Sequence, residues 1–145
     1  MKKMKLADII RTKGELWTIN QHKTIHEAIK QLVAHNIGAL LVLDDAGKLV
    51  GIISERDILR ESAERDHLLR KSKVESIMTK DLIIGLPDDE VEYALGVMTK
   101  NRIRHMPVLD NDELVSIVSI GDLVKAQLTE REYENRYLQQ YMFGH

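Results

Sequence analysis

Residues 24–60 read TIHEAIKQLVAHNIGALLVLDDAGKLVGIISERDILR, and residues 90–125 read EVEYALGVMTKNRIRHMPVLDNDELVSIVSIGDLVK. The second stretch repeats the first. A shift of 66 sets Ile25 on Val91, Ala28 on Ala94, Ile29 on Leu95, Leu32 on Met98 and Ile37 on Ile103. It also sets Val42-Leu43-Asp44 on Val108-Leu109-Asp110. One residue is missing from the second turn, so beyond it the shift is 65: Gly51 meets Ser116, Ser54 meets Ser119 and Asp57 meets Asp122. Upstream, Leu6-Ala7-Asp8-Ile9-Ile10 matches Val74-Glu75-Ser76-Ile77-Met78. Self-similarity at one period marks a duplicated structural unit.

Each copy reads as strand, helix, strand, strand, helix. Ile25, Ala28, Ile29, Leu32 and Val33 recur at the spacing of an amphipathic helix, as do Val91, Ala94, Leu95 and Met98. Pro87-Asp88-Asp89 supplies a start signal for the latter. Ala39–Leu43 and Leu49–Ser54 are short apolar runs around Asp45-Ala46-Gly47, a hairpin signal. Met106–Leu109 and Leu114–Ser119 repeat it around Asn111-Asp112. Asp57 and Asp122 open the closing helices, where a carboxylate meets unpaired N–H groups. Near-continuous apolar strands predict sheets covered on both faces. The expected fold is α+β: two units at 5–62 and 73–128, each β-α-β-β-α, then a helical tail at 129–145. Units of this size are marginal alone, so the two are expected to share burial. Residues 60–73 are expected to extend the first closing helix to near Ser72. Tyr133, Tyr137, Leu138 and Tyr141 lie at helical spacing, which fits a helix docked on the body or on a second subunit.

Composition removes several functions. The 145 residues hold 21 Lys+Arg against 23 Asp+Glu, so the basic excess that nucleic-acid binding asks for is absent. Lys2-Lys3-Lys5 and Arg70-Lys71-Lys73 are short clusters that read as solvated faces. There is no cysteine, hence no disulfide, thiolate metal site or thiol nucleophile. Four of the six aromatic residues fall in the last thirteen positions, which leaves no rows of rings for stacking bases. No apolar run has the length of a membrane span or a signal peptide, so a soluble cytoplasmic protein is expected. His22 and His26 are four apart but lack an evident third ligand, and no metal is expected. Neither Ser54 nor Ser119 sits in a nucleophile elbow, and no glycine-rich phosphate loop occurs, so no enzyme activity is expected.

Two tandem units, each ending in Gly/Ser-apolar-x-Ser-x-x-Asp, resemble the cystathionine beta-synthase (CBS) domain pair, or Bateman module. The signatures are GIISERD at 51–57 and SIVSIGD at 116–122, with NIGALLVLD at 36–44 and NRIRHMPVLD at 101–110. The resemblance spans residues 5–128 and is closest to a stand-alone subgroup with SERD in one unit and SIGD in the other. It implies pseudo-twofold packing of the units, two ligand clefts, a homodimer, and a non-catalytic sensor that reports to an effector protein. The implied ligand is an adenine nucleotide, with AMP first and ADP, ATP or NAD as others; S-adenosylmethionine, a nucleic acid, and a scaffold with vestigial clefts are the competing readings.

An ionised Asp at a helix start can accept from both hydroxyls of a ribose, and a Ser one turn earlier can share one of them. Each charge-assisted bond contributes about 1.5–3 kcal/mol. The same residues serve equally as helix N-caps, and the two roles can coexist. The resemblance implies a cleft A of Ile52, Ser54 and Asp57 with Leu82, Ile83, Ile103, His105, Met106 and Pro107. It implies a cleft B of Ile117, Ser119 and Asp122 with Leu16, Trp17, Ile37, Gly38, Ala39 and Leu40. Taken singly, each apolar member reads as core. Arg56 and Arg104 are the phosphate candidates and read equally as solvated charge; His105 reads as a neutral wall or as a protonated phosphate partner. Cleft B ranks first, because Arg56 has no counterpart at Gly121 and Gly38-Ala39 leaves backbone open to close approach.

Overall fold

A computed structural model of the chain describes residues 3–65 and 67–143. The side chains at 67, 130, 132–134, 137 and 140–143 lie outside the described residues, and with them those of Tyr133, Tyr137 and Tyr141. The chain is α+β and divides into two compact units. One is continuous, Glu15–Ile83; the other is split, Met1–Gly14 with Ile84–His145.

In the continuous unit, β1 (Thr18–Asn20) runs parallel to β2 (Ala39–Leu43), which pairs antiparallel with β3 (Leu49–Ser54). Between β1 and β2 lies helix α2 (Ile25–His35), a right-sized crossover for parallel strands. Thr24 and Glu27 close a reciprocal capping box at its start, and Asn36 ends it in the left-handed conformation (φ 51°). The apolar stripe read from the sequence is the buried face: Ile25, Ala28 and Leu32 join Ile19, Leu40, Val42 and Ile53 in the core. Burying a side chain of this size contributes about 1.5–3 kcal/mol. In the turn between β2 and β3, Asp44 Oδ1 accepts from the N–H groups of Ala46 and Lys48, and Gly47 takes φ +83°.

Helix α3 (Glu55–Glu64) departs from the expected extension to Ser72. Arg65 is extended and stops it, and a 3-10 turn at His67–Lys71 follows. That turn places Leu69 in the core. Residues 72–78 then close the unit against the start of α2. Val74 N–H donates to Lys23 C=O, and Ile25 N–H donates to Ser72 C=O. Ile52 and Thr79 exchange two backbone bonds. A Cβ at Gly51 would stand 2.6 Å from Met78 Sδ and 3.0 Å from the Thr79 carbonyl oxygen, so a side chain here would displace Met78.

The split unit is made the same way. Helix α1 (Leu6–Ile10) lies against the start of α4 (Val91–Asn101): Leu6 N–H donates to Asp89 C=O, and Val91 N–H donates to Met4 C=O. Strands β4 (His105–Asp110) and β5 (Glu113–Ser119) form a tight hairpin over Asn111 and Asp112, both at positive φ, as a two-residue turn needs. The strand expected before α4 is reduced to one bridge, in which Gly85 bonds Pro107 and Leu109 across the backbone. Pro87 follows too soon for a longer ladder. The closing helix and the tail are one helix, α5 (Ile120–Phe143).

The segment upstream of each sequence copy packs in the unit of the other: residues 4–10 on α4, residues 72–78 on α2. Leu6 and Val74, which match in sequence, are both fully buried after this exchange.

Candidate functional site

The repeated Ser-x-x-Asp pairs stand where a β-strand passes into a helix. In the continuous unit the Ser54 N–H and hydroxyl both donate to Asp57 Oδ2, each at 2.9 Å, and Asp57 N–H donates back to Ser54 Oγ at 3.1 Å. In the split unit Ser119 N–H donates to Asp122 Oδ2 at 2.9 Å, and Asp122 N–H donates to Ser119 Oγ at 3.0 Å. Both pairs are reciprocal caps, so the capping role is real in each. The caps engage only Oδ2. Asp57 Oδ1 has Arg60 Nη1 at 4.0 Å, and Asp122 Oδ1 accepts no hydrogen bond among the described residues.

The strand beside each pair is fixed by matching bonds. Glu55 N–H donates to Gly38 C=O, and Ile120 N–H donates to Arg104 C=O, both at 2.9 Å. Ala39 pairs with Ser54, and His105 pairs with Ser119. Gly38 and Ala39 thus flank Asp57's helix start, while Arg104 and His105 flank Asp122's. Pro107 is buried opposite Ile117, and Met106 opposite Val118. Ile103 is half-buried just ahead of β4.

The remaining sequence candidates belong to the continuous unit. Ile52 is buried on β3; Leu82 and Ile83 are half-buried. Leu16 is half-buried, and the Trp17 ring stacks on His35 with centroids 3.5 Å apart. Leu40 lies inside the core and Ile37 packs against it. Arg56 and Arg104 are exposed. Within single units, then, Ser119, Asp122, Ile117, Arg104, His105 and Pro107 come together, as do Ser54, Asp57, Ile52, Gly38 and Ala39.

One residue escaped the sequence reading. Lys13 Nζ donates to Asp122 Oδ2 at 2.6 Å, with both side chains about two-thirds covered. Partial burial pushes the Asp122 carboxyl up. The Lys13 hydrogen bond, the Ser119 N–H, the Lys13 charge and the Ser119 hydroxyl outweigh that and hold it below its ordinary value. An ionised carboxylate is an acceptor for hydroxyls and a poor general acid.

The comparisons agree with this geometry. The CBS domain family model matches residues 6–64 and 74–129. The chain belongs to the CBS-domain family. It is 36% identical to the mitochondrial CBS domain-containing protein CBSX3 of Arabidopsis thaliana, over 96% of this chain and 72% of that protein. A CBS-domain containing protein of Agrobacterium tumefaciens superposes with a TM-score of 0.81 at 35% identity, covering 85% of this chain and 92% of that one. The CBS domain pair of protein MJ0100, solved in complex with 5-methylthioadenosine and S-adenosyl-L-methionine, gives 0.79 at 32% identity, covering 89% and 99%. The chain is a tandem CBS pair of the regulatory kind. Among the described residues, no helix is long and apolar enough to cross a membrane.

Proposed function

We propose that this CBS pair is a sensor without chemistry of its own, which binds an adenine nucleotide, AMP foremost, and reports its presence to a partner protein. The reading rests on one observation: two helix starts each hold an aspartate whose Oδ2 is used by the cap while Oδ1 accepts no hydrogen bond among the described residues. A vicinal diol needs such an acceptor. The complex of the MJ0100 CBS pair with two adenosyl compounds supports the same class of ligand. The proposed contacts are the cleft B set, with Asp122 and Ser119 on the ribose and Arg56 and Arg104 toward phosphate. His105, Pro107 and the remaining cleft A residues are proposed for the second site around Asp57. Binding shifts the protein only by the ligand's differential affinity for two arrangements, and an effector reads that shift, in this proposal as a homodimer.

A thermal melt with AMP, ADP, ATP, NAD, S-adenosylmethionine, methylthioadenosine and a short oligonucleotide tests it. At a hundredfold excess over Kd, a site ligand adds about 2.7 kcal/mol of stability. Adenine nucleotides should raise the melting temperature, AMP the most at equal concentration. A flat response to every adenosyl compound overturns the proposal, and a response to the oligonucleotide alone replaces it with a nucleic-acid reader.

A further inference from the structure

Lys13 is the last residue but one of the Met1–Gly14 arm, directly after the short helix α1. It reaches a carboxylate 109 positions away, on the first turn of α5. Among the described residues, Asp57 has no such partner. There the second hydrogen bond to Oδ2 comes from the Ser54 hydroxyl, and the cation beside its Oδ1 is exposed Arg60 at 4.0 Å. Continuing the upstream match of Leu6 with Val74, the position equivalent to Lys13 carries Asp81, a reversal of charge. The ammonium is thus a feature of one grip alone.

Resting on the proposed function, we infer that Lys13 makes the Asp122 grip selective for adenosyl ligands whose 5′ substituent is anionic: when a ribose diol takes Asp122, the ammonium turns from the carboxylate to the phosphate. The 5′ group of a nucleotide stands one sugar ring away from the diol. A lysine's ammonium rides on a flexible four-carbon stem and can change partner by side-chain rotation. Electrostatics favours the exchange. A phosphate brought near an ionised aspartate meets repulsion, and a cation held between the two removes it. A neutral 5′ group gains nothing from the ammonium, and a sulfonium is repelled by it. Methylthioadenosine and S-adenosylmethionine, the ligands of the MJ0100 pair, are therefore expected to be poor ligands here.

Titration calorimetry of the full chain with AMP, adenosine, methylthioadenosine and S-adenosylmethionine tests this, on the wild type, Lys13→Gln and Lys13→Arg. The wild type should bind AMP best. Lys13→Gln should weaken AMP roughly tenfold while adenosine and methylthioadenosine hold within about twofold or tighten, since no ion pair then has to open. Lys13→Arg should restore most of the AMP preference. Equal losses for AMP and adenosine, or unchanged AMP in Lys13→Gln, overturn the selectivity. A wild type that prefers methylthioadenosine overturns it too but leaves an adenosyl sensor standing; a wild type that binds none of the four overturns both.

Discussion

The Ser54/Asp57 and Ser119/Asp122 grips share one backbone plan and differ in every charge around it. Each carboxylate uses Oδ2 to cap its helix, with the same strand residue bonded alongside. Around Asp57 lie Gly38 and Ala39, with Arg56 on its own helix. Around Asp122 lie Arg104, His105 and Lys13, with Gly121 in the place of Arg56. Duplication kept what the fold requires and let the charges diverge. Capping constrains the Ser-x-x-Asp spacing in both copies, whereas ligand charge constrains only what stands beside it. Under the proposed function, the two grips present different charges to a ligand.

The largest expected effect separates the two units by their folding. The split unit must bring Met1–Gly14 back to Ile84 across all of Glu15–Ile83. With that stretch unfolded, closing the loop costs roughly 4 kcal/mol by its length dependence. Ile53, fully buried in the continuous unit, should cost about 2–5 kcal/mol on truncation to alanine. Met98, fully buried on α4, should cost a similar amount. Trp17, the sole tryptophan, reports the continuous unit by fluorescence, and circular dichroism weights the split unit, which holds α1, α4 and the long helix α5. In urea, Ile53→Ala should shift both signals to lower denaturant, and Met98→Ala should shift the helical signal more than the Trp17 signal. Equal shifts in both variants would mean that the units unfold as one.

Next in size is the contrast between the grips in binding. Asp122→Ala should weaken AMP by roughly 10- to 100-fold, the loss of one charge-assisted acceptor, while Asp57→Ala costs less than about threefold. Asp122→Asn keeps an oxygen for the cap and removes the charge, so it should bind as weakly as the alanine variant yet melt closer to the wild type. Calorimetry on the three variants ranks the grips. A larger loss at Asp57 moves the nucleotide to the other grip.

How much of this could be read from the sequence follows from the range of each signal. Both hairpins, α2, α4 and the two helix starts were legible, because strand and helix periodicity and turn chemistry act over a few residues. The helix end at Glu64 was missed, since only the buried position of Leu69 distinguishes a break from an extension. The exchange of residues 4–10 and 72–78 left no trace either. The two segments are alike in pattern, and nothing in a pattern says which copy each one joins. Lys13 was invisible for the same reason: a pair separated by 109 positions has no local signature. Arg104 and His105, in contrast, stand out in the sequence itself, because the first copy has Gly38 and Ala39 at the matching positions.

A smaller difference lies at the ends of α2 and α4. Asn36 and Arg102 occupy matching positions at φ 51° and 55°. Asparagine tolerates that conformation; arginine has no local hydrogen bond to offer for it. Arg102→Gly should therefore stabilise the protein by about 0.5–1 kcal/mol, read from the urea midpoint, while Asn36→Gly changes it by less. A destabilised Arg102→Gly would show that the Arg102 side chain contributes more than its backbone conformation costs.

The smallest effect, and the one that isolates Lys13 from any ligand, is the pH dependence of the empty protein. The pair is partly exposed, so Lys13→Ala should cost under about 1 kcal/mol at neutral pH. Because the Asp122 carboxyl is held below its ordinary value in the folded state, its contribution to stability is complete above the unfolded value, roughly pH 3.9. It is lost as the pH falls through the lower folded value. The wild type and Lys13→Ala should consequently differ from pH 5 to 7 and converge in acid, each measured by urea midpoint. A gap between wild type and Lys13→Ala that persists below pH 3 would assign the Lys13 contribution to packing of its alkyl stem instead of to its charge.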